Sequence, residues 1–263
     1  MKKLLFSFFT FLLGIFSLYS QGCSDLFISE YVEGGGNNKA IEIYNPTKNP
    51  ISLSTYILCR YSNGSLTITA SVSLSGATIP SYGTRVIVLD KRTPGLIGQD
   101  TMVDLKLQAK ADTFLCPIYN DNSVMYFNGN DAVTLEKVDG TLVDIFGKIG
   151  ENPAIGNGTG SEGGWTNRDT LNYCSGPKYW TAWTMNHTMI RKKAVKKGVV
   201  SNPASFNASV EWDTLPNNTF TNLKTHTCDC SQVSVQEISE KPHNAFFFPN
   251  PAVNQNFLVK ATH

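Results

Sequence analysis

Three glutamates, Glu30, Glu33 and Glu42, fall close together near the start of this 263-residue chain. Neighbouring carboxylates can divide the work of glycoside cleavage, one protonating the leaving oxygen while the other supports attack. The same residues can equally pair across a polar face, for example with Lys39, or hydrogen-bond where they are buried at a sheet edge. No other acid–base partner reinforces the catalytic reading. The four histidines, His187, His226, His243 and His263, do not form H-E-x-x-H, the spacing that sets two zinc ligands one helical turn apart. G-x-S-x-G is absent, so the sequence contains no nucleophile elbow.

Gly158, Gly160 and Gly163 spell G-x-G-x-x-G, but Gly164 and Trp165 follow within a glycine-rich stretch. A pyrophosphate cradle needs a strand before the glycines and a helix after them. A loop is therefore expected here. Oxygen ligands crowd another turn, where Asn128, Asn130 and Asp131 precede a hairpin carrying Asp144. That set suits Ca²⁺, the one cofactor the sequence suggests. The alternative is a turn capped by its own Asn and Asp side chains. Arg191, Lys192, Lys193, Lys196 and Lys197 form the one basic run, with Trp180 and Trp183 nearby. Phosphate contact with base stacking is one use for such a run. A solvated strand face that discourages edge pairing is the other.

Six cysteines, Cys23, Cys59, Cys116, Cys174, Cys228 and Cys230, are candidates for disulfides of open connectivity. Cys228 and Cys230 lie two apart, share a face in a strand and should not bond to each other. Cys23 is expected to join one of them, closing the first strand against the last. A zinc site is disfavoured because paired C-x-x-C spacing is missing.

These groups must be positioned by a β-rich scaffold. The chain is 41% hydrophobic, 11% aromatic and only 16% charged. Lys2 and Lys3 followed by the apolar run Leu4–Phe16 read as a signal peptide over residues 1–21. The run is shorter than the roughly 20 residues of a spanning helix, so the processed protein is not expected to cross a membrane. A lipid attached at Cys23 is an alternative, although Ser20, Gln21 and Gly22 fit that signal poorly. Without Lys2 and Lys3, 20 basic residues (22 less those two) face 21 acidic ones, which excludes a global field for nucleic acid.

Leu26, Ile28, Ile41 and Ile43 alternate as two strands joined by Gly34–Asn38. Tyr56–Tyr61, Leu66–Val72 and Thr84–Leu89 read as further strands, the first two joined at Asn63-Gly64. Lys91–Asn122 reads as an excursion, with Met102, Leu105 and Leu107 suggesting a short helix. Ala132–Val138 and Thr141–Phe146 form the clearest hairpin, turning at Asp139-Gly140.

SEYVEGGGNNKAIEIYNPT, from Ser29 to Thr47, resembles the opening of the bacterial lamin tail domain found in secreted proteins of Bacteroidetes. FNGNDAVTLEKVDGTLVDIFG is similar to its centre, TMIRKK to its late strand, and EWDTLPNNTFTNLKTH to its closing segment. The resemblance implies an all-β, immunoglobulin-like sandwich over residues 22–230, with Trp212 near the closing edge. Gln232–Asn244 reads as a polar linker within 231–244. FFFPNPAVNQNFLVKATH, over 245–263, resembles the start of a type IX secretion sorting domain, and the sorting domain is expected to be cut short here. The function implied is a secreted or surface-attached, non-catalytic module for adhesion, ligand binding or scaffolding. Its expected partners are the type IX export machinery and a surface ligand that is a glycan, a protein or a nucleic acid. The alternative is an accessory domain of a longer secreted nuclease or other hydrolase.

Overall fold

The computed structural model describes residues 22–93, 101–153, 163–166 and 182–230. These belong to the first of two compact units, Met1–Ser231. Twelve strands are described: β1 (Phe27–Glu33), β2 (Lys39–Tyr44), β3 (Ile51–Ser52), β4 (Tyr56–Tyr61), β5 (Ala70–Ser73), β6 (Thr78–Ile79), β7 (Thr84–Leu89), β8 (Thr113–Leu115), β9 (Ala132–Lys137), β10 (Leu142–Phe146), β11 (His187–Arg191) and β12 (Trp212–Leu215). One-turn helices α1 (Leu105–Gln108) and α2 (Ala208–Glu211) and two short 3₁₀ turns, Leu53–Thr55 and Ser62–Gly64, complete the described set. The protein is an all-β, immunoglobulin-like sandwich. A six-stranded sheet ordered β12-β11-β1-β2-β7-β8 stacks against a four-stranded sheet ordered β10-β9-β4-β5, and β3 and β6 form a small ribbon.

The hairpins follow their turn residues. At Asp139-Gly140 the Asp139 carboxylate accepts from the Thr141 N–H, and Gly140 takes a positive φ that a side chain would resist. Asn63 and Gly64 both have positive φ, but the ladder between β4 and β5 resumes only at Arg60↔Ala70. Leu66–Thr69 therefore leaves the expected strand and forms a loop, with Leu66 exposed. The helix expected around Leu105 and Leu107 is present, with Asp104 accepting from the Lys106 N–H at its start. After it, β8 returns parallel to β7, a pairing that periodicity did not announce.

A register shift in β1 between Ile28 and Glu30 decides which side chains reach which face. Strict alternation would send Leu26, Ile28, Glu30 and Val32 to one side. The extra residue at the bulge reverses the parity. Leu26, Ile28 and Tyr31 consequently enter the space between the sheets, whereas Val32 joins a separate outer cluster with Ala40, Val86 and Val88. The main core is aromatic at one end. Tyr31 stacks on Phe146 at 4.0 Å between ring centroids, and Trp165, Phe206 and Trp212 meet Phe146 edge-on. Gly147 carries a positive φ, and a Cβ there would lie 2.6 Å from the Trp165 ring, so the close seat of Trp165 requires glycine.

One buried ion pair joins the two sheets. Asp144 on β10 meets Arg191 on β11 at 2.5 Å, with neither side chain exposed. The Asp144 carboxylate also accepts the N–H groups of Ile28, Ile145 and Val199. Arg191 donates to the Ile28 carbonyl and pairs with Glu211 of α2 at 2.5 Å. A buried charge that loses its counter-charge costs about 3–5 kcal/mol. Arg191→Met should accordingly lower unfolding stability by about 3 kcal/mol, somewhat cushioned by the three amides that still hold Asp144. The urea midpoint of the variant against wild type measures it.

Candidate functional site

The bulge in β1 has a chemical result on the outer face of the larger sheet. Glu30 and Glu42 lie directly opposite each other on β1 and β2, and both are buried. The Ser29 hydroxyl donates to Glu42 Oε1 at 2.7 Å, and the Lys224 backbone N–H donates to Oε2 at 2.6 Å. Glu30 Oε1 is buried with no hydrogen-bond partner. Burial, then the neighbouring Glu42 carboxylate, raises the Glu30 pKa to about 9. Burial raises Glu42 to about 7, opposed by the hydrogen bonds from Ser29, Lys224 and Thr84. Glu30 is thus a neutral acid near pH 7. Glu33 stands apart at the end of β1, where Lys39 pairs with it at 2.5 Å and the Asn186 N–H bonds its other oxygen.

The roof over Glu30 and Glu42 comes from residues 216–230 and the turn after α1. Phe220 and Leu223 pack with Val103 and Leu107 on the outer cluster. Lys110 Nζ donates to the carbonyls of Thr221 and Leu223 at 3.1 and 3.0 Å. His226 meets the rings of Phe27 and Tyr44 edge-on at 5.7 and 4.8 Å. Its burial, and then the charge of Arg191, lower its pKa to about 4. The carboxyl pair is therefore enclosed by the fold, with its better-bonded member committed to Ser29 and a backbone amide.

The four oxygen-bearing residues weighed for calcium are not brought together. Asn128 is exposed, whereas Asn130 and Asp131 are buried beside Asn63. Asn130 Nδ2 donates to the side-chain oxygens of Asn63 and Asn152, and Asp131 accepts the Asn63 N–H, with Arg60 3.8 Å away. Asp144 is opposite Leu135 on β9, four residues and roughly 13 Å along the strand from Asp131. Its oxygens are engaged by Arg191 and three amides. Among the described residues, no three His, Cys, Asp or Glu side chains converge as metal ligands would.

The basic run also divides. Arg191 is buried in its ion pairs and turns away from any phosphate. Lys192 reaches back to the Ser209 carbonyl, Lys196 is half-buried, and Lys193 and Lys197 are exposed. Trp183 is half-buried, and Trp180 lies outside the described residues. His187 hydrogen-bonds the Met185 carbonyl; His243 and His263 lie outside the described residues, as do Gly158 and Gly160, while Gly163 sits in a buried coil segment.

Cys23 and Cys230 form a disulfide, with their Cα atoms 5.6 Å apart. The expected closure of the first strand against the last segment is therefore present. Cys59 and Cys116, two of the disulfide candidates, are buried thiols rather than partners in a bridge. Burial pushes the Cys59 thiol up to about 12. Cys228 is buried with its sulfur toward Tyr44, and Cys174 lies outside the described residues.

Sequence reasoning missed the Asp144–Arg191 pair and the Arg60–Asp131 approach. Both join residues far apart in the chain, and the only local sign was a charged residue amid strand-forming neighbours. It also passed over an apolar cleft of about 220 Å³, lined by Ile145, Val199, Pro203, Phe206 and Val210, with Glu211 at its wall.

The geometry defines a sandwich whose ionisable groups mostly serve to hold its layers together. Residues 20–150 match the family model described as Lamin Tail Domain. No curated protein matches the chain.

Two outcomes test this account. His226 has a lowered folded-state pKa, so its contribution is complete above its ordinary value of 6.5 and lost as pH falls through about 4. The melting temperature of wild type should gain on that of His226→Gln as pH rises from 4 to 6.5. Cys23→Ser should cost about 2–5 kcal/mol in denaturant unfolding, the usual range for a native disulfide.

Proposed function

We propose that this protein is an exported, non-catalytic binding or scaffolding module that works at the bacterial cell surface. The lamin tail domain over residues 20–150 supports the binding or scaffolding role. The observation that carries it is the internal use of the reactive candidates. Glu33 is held by Lys39, Glu42 by Ser29 and Lys224, Asp144 by Arg191, and His226 is packed between Phe27 and Tyr44. Side chains committed in this way cannot approach a substrate without dismantling the layer they stabilise.

Export is supported by Lys2, Lys3 and the apolar run that follows, and by a disulfide that persists in an oxidising compartment. Type IX export is supported by the resemblance of 245–263 to a sorting domain. The processed product has a domain over 22–230, a linker over 231–244 and the sorting segment. Among the described residues, no helix is long and apolar enough to cross a membrane. The surface ligand is a glycan, a protein or a nucleic acid. Of the basic run, Lys193 and Lys197 are exposed and available to a polyanion.

Binding of the purified processed protein to arrayed glycans, surface proteins and single-stranded DNA, with and without calcium, tests the reading. Saturable binding without conversion of the ligand is expected. Hydrolysis of a glycan or nucleic acid that disappears in Glu42→Gln would overturn it. Should DNA be the ligand, affinity will fall steeply between 50 and 200 mM salt, as counterion release demands.

A further inference from the structure

The outer face of the six-stranded sheet is roofed by a segment without regular structure, and the fastening of that roof is unusual. Residues 216–230 leave β12, cross above β1 and β2, and end at the disulfide between Cys230 and Cys23. Phe220 and Leu223 cover Val32, Ala40, Val86 and Val88. Between those apolar contacts, the roof rests on the opposed pair Glu30 and Glu42, through the bond from the Lys224 N–H to Glu42.

We propose that residues 218–228 form a proton-latched strap, closed while the Glu30–Glu42 pair holds its protons and released from the sheet when the pair ionises. Like charges placed directly opposite on neighbouring strands repel, and the repulsion grows where water is excluded. The other charged groups around the pair relieve it only in part, since burial and Glu42 together keep Glu30 raised to about 9. Lys110 faces Glu30 from the turn after α1 and favours its charged form, less than burial and Glu42 oppose it, while its ammonium bonds the strap carbonyls of Thr221 and Leu223. Asp112 faces Glu42 with a charge of the same sign, and its carboxylate pairs with Lys224 Nζ at 3.2 Å. The Ser29 and Thr84 hydroxyls and the Lys224 N–H favour the charged form of Glu42 but add no positive charge, and they leave Glu30 Oε1 without a bond. Further along the strap, His226 faces Arg191 and adds no positive charge above its low pKa.

Opening the strap returns both carboxyls to water, where they ionise near 4.5. Their folded-state values are raised, so the closure they support is complete below 4.5 and is lost as pH climbs through about 7 for Glu42 and about 9 for Glu30. Release uncovers the apolar stripe of Val32, Ala40, Val86 and Val88 while Cys230 keeps the strap tethered.

Hydrogen exchange of the full processed protein, read by mass spectrometry from pH 5.5 to 9.5 and corrected for intrinsic rates, tests this. Protection of strap peptides covering 218–228 should fall about tenfold per pH unit between 7 and 9, the slope of one linked proton. The β9–β10 hairpin should keep its protection across the same range. Glu30→Gln, which replaces a side chain whose Oε1 accepts no bond, should flatten the strap's response while leaving the hairpin unchanged. Strap protection that is insensitive to pH, a parallel loss in the hairpin, or a wild-type response in Glu30→Gln would each overturn the latch.

Discussion

The meeting of Asp144 and Arg191 is the interaction on which the two-layer arrangement depends. Each charge comes from a different sheet, and each is fully buried. A lone carboxylate or guanidinium at that depth would be strongly unfavourable, so each layer is incomplete without the other. The pair also gathers backbone. Ile28 on β1 contributes both its N–H and its carbonyl, Val199 contributes an N–H, and Glu211 holds the second arm of the guanidinium. Approach of the Val199 loop requires glycine beside it, because a Cβ on Gly198 would lie 2.2 Å from the Val143 carbonyl oxygen. The register of β1, the end of β10 and the position of α2 are consequently fixed at one point.

How much of this was visible in the amino-acid order depends on the range of the forces involved. Hairpins governed by two or three residues were legible, because Asp139-Gly140 specifies its turn locally. The β1–β2 pair and β7 were legible too, since alternating apolar residues need a face to bury. The bulge in β1 was not, because Ser29 has no propensity that marks it and only the partner strand reveals the shift. That single residue moves Glu30 from the inner side, where alternation would put it, to the outer one. The parallel return of β8 depended on a long connection and left no periodic trace.

The site residues divide in the same way. Arg191 belonged to a cationic run, and runs of charge ordinarily mean solvent; its burial follows from Asp144, 47 positions away. Asp144 itself was grouped with the Asn128–Asp131 turn by proximity in sequence, yet strand geometry carries it far from that turn. A bridge from Cys23 to either Cys228 or Cys230 was accessible because two cysteines so close in a strand should not bond to each other, but the choice of Cys230 was not. The buried Cys59 and Cys116 thiols looked no different in composition from bridging ones.

The Cys23–Cys230 bridge gives the domain a mechanical property. Its two half-cystines are 207 positions apart in sequence but 5.6 Å apart in space. Tension applied between Gly22 and the chain after Cys230 would run through the sulfur–sulfur bond and bypass the strands between them. A domain closed in that manner bears such a load without unzipping its ladders, and only a reductant would transfer it to the sandwich.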